Sequence, residues 1–449
     1  MSQTHRLGYL RKEQLEAMSW SPSSWRGKPV QQMAEYDDKA EAAAIFDKLG
    51  KLPPLVQPSE VDRLRELLAA AAAGDRFIIQ GGDCAERFMD CEAGRLDQQL
   101  KLLLQMGAIV TQKTGLPSVN IARIAGQYGK PRSKPTEVHK ELGEIMSFKG
   151  DNINGYAPTE RKWDPKRLLE GYYHCASTLN YLRGLVSTAG AAKLAELKAD
   201  VLKGPDQAAV GQAIAASPPA AFTEFFTSHE GMQLDLEEAL TRQVGSTFYN
   251  LSCHMLWIGD RTRQLDGGHV EYFRGIANPV GCKVGPSMKD DELKELVQIL
   301  NPDKIEGKLV LITRYGAAKV ESMLPGHIEA VKASGVPVVW QCDGVHGNTV
   351  TAKACNLKTR NLADVLSECT QALAIHKRCG TVLGGVHLEM TGQETVTECL
   401  GGAITAEEML TQNYETYCDP RLNYAQAIEA AFAISSSIDL PPSKRAKAA

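Results

Sequence analysis

Along the chain, short apolar runs rich in β-branched residues end in polar or glycine-bearing clusters, and helix-period patterns follow most of them. The runs are FIIQGGDC (77–84), VNIARIAGQYGKPRS (119–133), AFTEFFTSHE (221–230) and MLWIGDRTR (255–263). Then come VGCKVGPS (280–287), LVLITRYG (309–316), VVWQCDGVHGN (338–348) and GGVHLEMTG (384–392). Apolar residues recur at three-and-four spacing in RLDQQLKLLLQMGAIVTQ after the first run and in DDELKELVQIL after the fifth. RNLADVLSECTQALAIHKR after the seventh and YAQAIEAAFAIS near the C-terminus repeat the pattern. Eight strands alternating with helices predict an α/β chain folded as a (β/α)8 TIM barrel. A doubly wound open sheet would gather its polar signals at one switch point. Here they recur after most strands, which points to the C-terminal rim of a barrel.

Two stretches lie outside this alternation. Residues 1–75 precede the first strand and include SEVDRLRELLAAAAAG, a helix with Ser59 as cap and Gly74 as stop. Residues from about 187 to 219, with AAKLAELKADVL and DQAAVGQAIAAS, read as an inserted pair of short helices. The expectation is one catalytic barrel over 1–449, with both additions packed outside it or making subunit contacts.

Composition narrows the function. The chain is 43% hydrophobic and 23% charged with a net charge of −4, ordinary for a globular protein. It has no basic stripe of the kind that binds nucleic acid, and no apolar run of about 18 residues that would cross a membrane. The start, MSQTHRLGYLRKEQ, lacks the apolar core of a secretory signal. Eleven cysteines without a C-x-x-C pair suggest a reduced, cytoplasmic protein.

Four residues of metal-binding type fall where strands one, seven and eight end: Cys84, His346, Glu389 and, in the loop after strand eight, Asp419. Barrel closure makes those strands neighbours, so the four can converge. A thiolate, an imidazole and two carboxylates suit Mn, Fe, Co or Zn. His387 shares the strand face of Glu389 and is either a fifth ligand or a support. Seven cations map to the same rim: Arg123, Lys130, Arg132, Arg261, Arg263, Lys283 and Arg314. Asp260 and Asp266 are internal partners available to Arg261 and Arg263. Seven cations outnumber the nearby carboxylates if a metal takes two, so the rim reads as a site for phosphates and a carboxylate. GKPRS fits a phosphate-binding loop through Arg132, Ser133 and backbone N–H groups. No P-loop spacing implies a nucleotide. Lys283 is read as an anion binder rather than an imine-forming lysine.

GGDCAERF, ARIAGQYGKPRS, TSHE, WIGDRTRQLDG, ANPVGCKVGP, WQCDGVHGN, GGVHLEMTG and YETYCDPRLN together resemble type II 3-deoxy-D-arabino-heptulosonate 7-phosphate (DAHP) synthases. The likeness runs from SWSPSSWRGKPV to the last helix. It implies a barrel enzyme that condenses phosphoenolpyruvate with D-erythrose 4-phosphate at the start of the shikimate pathway. It implies a divalent metal, Mn2+ foremost, on Cys84, His346, Glu389 and Asp419. Phosphoenolpyruvate would be held by Arg123, Asp260, Arg261, Lys283 and Arg314; the family often has Glu at the position of Asp260. Erythrose 4-phosphate would be held by Lys130, Arg132, Ser133 and Arg263. Glu230 and the His346 region are the candidates for proton transfer. A homodimer or homotetramer inhibited by an aromatic amino acid is expected from the additions. Cys418 abuts Asp419, so metal loss would bring it toward disulfide distance of Cys84; simple burial explains it equally well. The same residues would serve another metal-dependent phosphoenolpyruvate-condensing enzyme or, less readily, a metabolite-sensing barrel.

Overall fold

The eight expected runs form eight parallel strands that close into a barrel. They are β1 Phe77–Gly82, β2 Ser118–Arg123, β3 Phe226–Glu230, β4 Met255–Ile258, β5 Val280–Val284, β6 Leu309–Thr313, β7 Val339–Cys342 and β8 Leu383–Glu389. Each strand pairs with its neighbours in sequence, and β1 closes on β8. A computed structural model describes residues 20–187 and 223–439, together with Leu194, Ala208, Gly211, Gln212, Ala216 and Ser217. The expected inserted helices at about 187–219 otherwise lie outside the described residues.

Alternating strand residues fill the barrel interior: Ile78, Val119, Ile121, Met255, Trp257, Val310 and Ile312 form one apolar cluster. A helix placed before the first strand, α1 Pro58–Ala72, presses Leu64, Leu67, Leu68 and Ala71 onto that cluster. It touches β1, β7 and β8, and the Ala71 carbonyl lies against Gly384 at the start of β8. The N-terminal addition thus closes the barrel floor rather than only coating its outside. The apolar stripe of α1 finds its partner at the open lower end of the barrel, which otherwise exposes core side chains. Its start also differs from expectation. Gln57, not Ser59, is the cap, Pro58 takes the first helical position, and Glu60 reaches back to accept from the Gln57 N–H at 2.7 Å. Gly74, with φ of 74°, terminates the turn after α1 as expected.

The outer layer includes α2 Ala93–Thr114, α3 Lys166–Leu185, α4 Asp290–Leu300, α5 Val320–Ser334, α6 Leu362–Arg378 and α7 Tyr424–Ser437. The closing helix α7 packs along α2, where the Tyr424 hydroxyl donates to Gln105 at 2.6 Å. Three of the eight units carry antiparallel strand pairs in their loops: Thr136–His139 with Gly143–Met146 after β2, Thr241–Val244 with Thr247–Asn250 after β3, and Thr349–Thr351 with Lys358–Arg360 after β7. No described helix is long and apolar enough to cross a membrane.

At the upper rim, Gly82 pairs in register with Arg123 of β2 and Glu389 of β8. Its φ is +149°, and a Cβ there would stand 2.6 Å from the Arg123 carbonyl. Glycine therefore lets the chain leave β1 sharply and carry Cys84 back over the barrel mouth.

Candidate active site

The strand ends gather three of the four proposed ligands. One donor atom each from Cys84, Glu389 and Asp419 lies within 4.8 Å of the others. Cys84 Sγ is 3.8 Å from Asp419 Oδ2 and accepts from the Asp419 N–H at 3.4 Å. His346 meets the group through Glu389, its Nε2 3.0 Å from Oε1. Burial, a hydrogen bond with the Cys418 thiol and the Glu389 carboxylate push the Cys84 thiol well up. The Lys130 ammonium opposes this rise, and a bound cation would favour the thiolate further. All eleven cysteines are free.

Lys130 was assigned from sequence to the sugar phosphate, yet its ammonium stands among these ligands. Nζ donates to Cys84 Sγ at 2.8 Å and lies 2.9 Å from Asp419 Oδ2 and 3.4 Å from Glu389 Oε1. Glu389 is fully buried and also meets Arg123 at 3.1 Å and Arg360 at 2.7 Å. Burial alone would raise its carboxyl; His346, Lys130, Arg360 and Arg123 together hold it well below the usual range. Asp419 is likewise held low against burial, chiefly by Lys130. The carboxylates are thus ionised and aimed at positive charge.

The support around His346 was not foreseen. Asp343 Oδ2 accepts from His346 Nδ1 at 2.7 Å and pairs with the buried Lys283 ammonium. Its Oδ1 accepts the N–H groups of Val345 and His346, each at 3.1 Å. This orients the ring and turns Nε2 toward Glu389 Oε1, on the side of the proposed ligands. The signal in the sequence is the aspartate three residues before the histidine in CDGVHGN. Arg360 on Glu389, and Lys358 at 2.8 Å from Asp419 Oδ1, lie in KTRN, outside the eight runs read from sequence, on a short strand paired with Thr349–Thr351. His387 does not join the ligands. Its Nε2 lies 2.7 Å from Arg123 Nη1, and burial lowers its pKa well below the usual value, so it is a neutral acceptor that fixes Arg123.

Above this floor opens a cavity of about 560 Å³. Lys130, Arg132, Ser133, Asp260, Arg261, Lys283, Arg314, His346 and Asp419 among the predicted residues line it, with Glu230 and Lys358. Arg123 lies deeper, buried against Asp83 and Cys84 carbonyls. Arg263 does not line the cavity. Its guanidinium is held by Asp260 at 3.1 Å, Glu292 at 2.6 Å and Ser287 at 2.9 Å. Five of the seven cations in fact have carboxylate partners inside the protein, since Arg123, Lys130, Arg263, Lys283 and Arg314 are all ion-paired. The sequence count missed Glu292 and Asp343, which arrive from other units. Among the described residues, Arg132 and Arg261 have no carboxylate within 4.0 Å, and Arg261 donates to Ser133 at 2.7 Å. The charge available for anions therefore concentrates on the GKPRS side of the cavity.

Glu230 ends β3 with Oε1 buried and without a hydrogen-bond partner. Burial raises its carboxyl against the opposing fields of Lys130, Lys283, Arg123 and His346. Gly259 makes room for it, since a Cβ there would stand 2.0 Å from Oε1. The charges crowding Cys84 in sequence have separate tasks. Glu86 accepts from Ala125, Gly126 and Gln127 N–H groups at 2.9, 3.0 and 2.7 Å and so pins the loop after β2. Asp83 holds Arg421 at 2.6 Å, and Arg87 holds Asp90 at the same distance.

A sulfur donor and two ionised carboxylates already arranged around a lysine ammonium, with an oriented imidazole beside Glu389, fit a borderline divalent cation. Comparison with known proteins gives the family. A family model described as the class-II DAHP synthetase family matches residues 20–212 and 206–435. A Neurospora crassa phospho-2-dehydro-3-deoxyheptonate aldolase is 45% identical over 457 residues, covering 93% of this chain and 94% of the relative. Proteins of the same name from Streptomyces coelicolor and Mycolicibacterium smegmatis are 43% and 39% identical, covering 92% of this chain in each case and 97% and 93% of the relatives. With a family model over most of its length and relatives 39–45% identical over more than nine-tenths of it, the chain belongs to the class-II DAHP synthetase family.

Proposed function

We propose that this chain condenses phosphoenolpyruvate with D-erythrose 4-phosphate, giving DAHP and inorganic phosphate as the first step of the shikimate pathway. The observation that carries the reading is one cavity with two chemistries: donors for a borderline cation on its floor, and Arg132 and Arg261, without carboxylate partners and with Ser133 beside Arg261, on its wall. Cys84, His346, Glu389 and Asp419 would hold the ion, Mn2+ foremost, with Co2+, Fe2+ or Zn2+ also suited to the donors. When bound, it supplies Lewis-acid polarisation of an aldehyde oxygen.

The chain's own residues do the rest. Arg261, Lys283 and Arg314 bind the phosphate and carboxylate of phosphoenolpyruvate, with Arg123 beneath them. Asp260 takes part by orienting Arg314, at 3.4 Å, and Arg263, at 3.1 Å. Lys130, Arg132 and Ser133 serve erythrose 4-phosphate, and Arg263 serves it only through Asp260 and the loop at Ser287. Holding two multiply charged substrates together is worth roughly 7–11 kcal/mol in favourable cases. As carbon 3 of phosphoenolpyruvate bonds to the aldehyde carbon, the C=O π pair moves to the aldehyde oxygen, which takes a proton; water adds at carbon 2 and gives one up; the carbon 2 to phosphate-oxygen link then breaks as the new hydroxyl becomes the ketone, its proton leaving with phosphate. Glu230, buried and without a partner at Oε1, accepts the proton of the added water. The enzyme works in the cytoplasm as a homodimer or homotetramer inhibited by an aromatic amino acid. Phosphate release from the two substrates with Mn2+ tests the reaction, and no turnover with metal restored overturns it.

A further inference from the structure

The position of Lys130 carries more than substrate binding. Its Nζ lies 2.8 Å from Cys84 Sγ, 2.9 Å from Asp419 Oδ2 and 3.4 Å from Glu389 Oε1. Those ligand atoms stand within 4.8 Å of one another. An ion bonded to all three, at about 2.0–2.3 Å, would need the space between them. The ammonium is already there, and two cations cannot share the place.

We infer that Lys130 and the divalent ion compete for one position, so that metal loading turns the Lys130 side chain out into the anion-binding cavity. Three observations support the exchange. The ligands that hold Nζ are the ones proposed for the ion, so metal entry removes the partners of the ammonium. Lys130 lines the cavity, so a long flexible side chain has somewhere to go without unfolding its loop. Its backbone is anchored independently, with the N–H bonded to the Lys149 carbonyl at 2.8 Å. On that wall, Arg132 and Arg261 have no carboxylate partner, and a displaced ammonium would join them. Metal binding would then build the last part of the phosphate site. By linkage, phosphate would tighten metal binding to the same degree. The sugar-phosphate role read from sequence and the ion-pair role seen in the structure become two positions of one side chain.

This inference rests on the metal site proposed above, and the test separates the two. Mn2+ binding to the full chain is followed by the signal of free Mn2+, for wild type and Lys130→Met. Lys130 is also labelled by reductive methylation with and without Mn2+, and the extent is read by mass spectrometry. The expected results are tighter Mn2+ binding in Lys130→Met, by a factor within the roughly 5–150-fold range of site couplings, and faster Lys130 labelling once Mn2+ is bound. Inorganic phosphate should tighten Mn2+ binding to wild type and lose that effect in Lys130→Met. Mn2+ binding with unchanged or slower Lys130 labelling overturns the exchange alone. Failure of wild type to bind Mn2+ overturns the metal site and the exchange with it.

Discussion

His346 stands with Nδ1 2.7 Å from Asp343 Oδ2, and the same carboxylate pairs with Lys283. One buried aspartate thus orients a proposed metal ligand and neutralises a proposed substrate cation. Asp343→Asn should weaken metal binding about 10–100-fold, the usual effect of losing an outer partner of a ligating histidine. It should also destabilise the fold by about 3–5 kcal/mol, because Lys283 is left buried and unpaired. The double variant Asp343→Asn/Lys283→Met removes the unpaired charge and should recover most of the stability, but not the metal affinity. Chelator-competition titrations and urea melts read the two effects. Equal metal affinity in wild type and Asp343→Asn would contradict the orienting role.

Glu230 is the buried carboxylate of the cavity without a partner at Oε1. Glu230→Gln keeps its shape and removes proton transfer. Its kcat should drop roughly 10²–10⁴-fold, while KM for phosphoenolpyruvate and the urea midpoint stay close to wild type. A kcat within about threefold of wild type would remove Glu230 from the chemistry.

Lys308 lies at the lower end of β6, far from the ligands. Its ammonium donates to the carbonyl of Asn278 at 2.7 Å and to that of Ile276, and burial pushes its pKa down to about 7. The unfolded chain holds this proton up to about pH 10.4. Between about 7 and 10.4 the unfolded state binds more protons, so stability rises with pH across that window and is lost as pH falls toward 7. The slope from this group is about 1 kcal/mol per pH unit. Urea melts from pH 7 to 9 should show it in wild type and not in Lys308→Met. Parallel pH dependences for the two proteins would show that Lys308 stays charged.

The strands were legible because each is a short β-branched run with its own polar terminator, a signal held within about ten residues. VVWQCDGVHGN contains both β7 and His346, and FIIQGGDC contains both β1 and Cys84. The convergence of Cys84, Glu389 and Asp419 followed from barrel closure. Pairings across units were not legible. Arg263 turns to Glu292, which sits on α4 in the next unit, beyond β5, and nothing local to GDRTR announces that. Lys130 turns to Asp419, Cys84 and Glu389 rather than toward Arg132 and Ser133 beside it, a choice made by the field of those three groups. The α1 helix was visible as a helix but not as a floor, because its apolar stripe does not say which surface it will meet.

The central claim is a metal-assisted condensation in one cavity. Its most direct measurement is phosphate release from phosphoenolpyruvate by the chelator-stripped full chain, with erythrose 4-phosphate or arabinose 5-phosphate, before and after Mn2+ is restored. The account predicts no release without metal, restored release with erythrose 4-phosphate, and little with arabinose 5-phosphate. Release that is indifferent to metal, or that favours arabinose 5-phosphate, would contradict it.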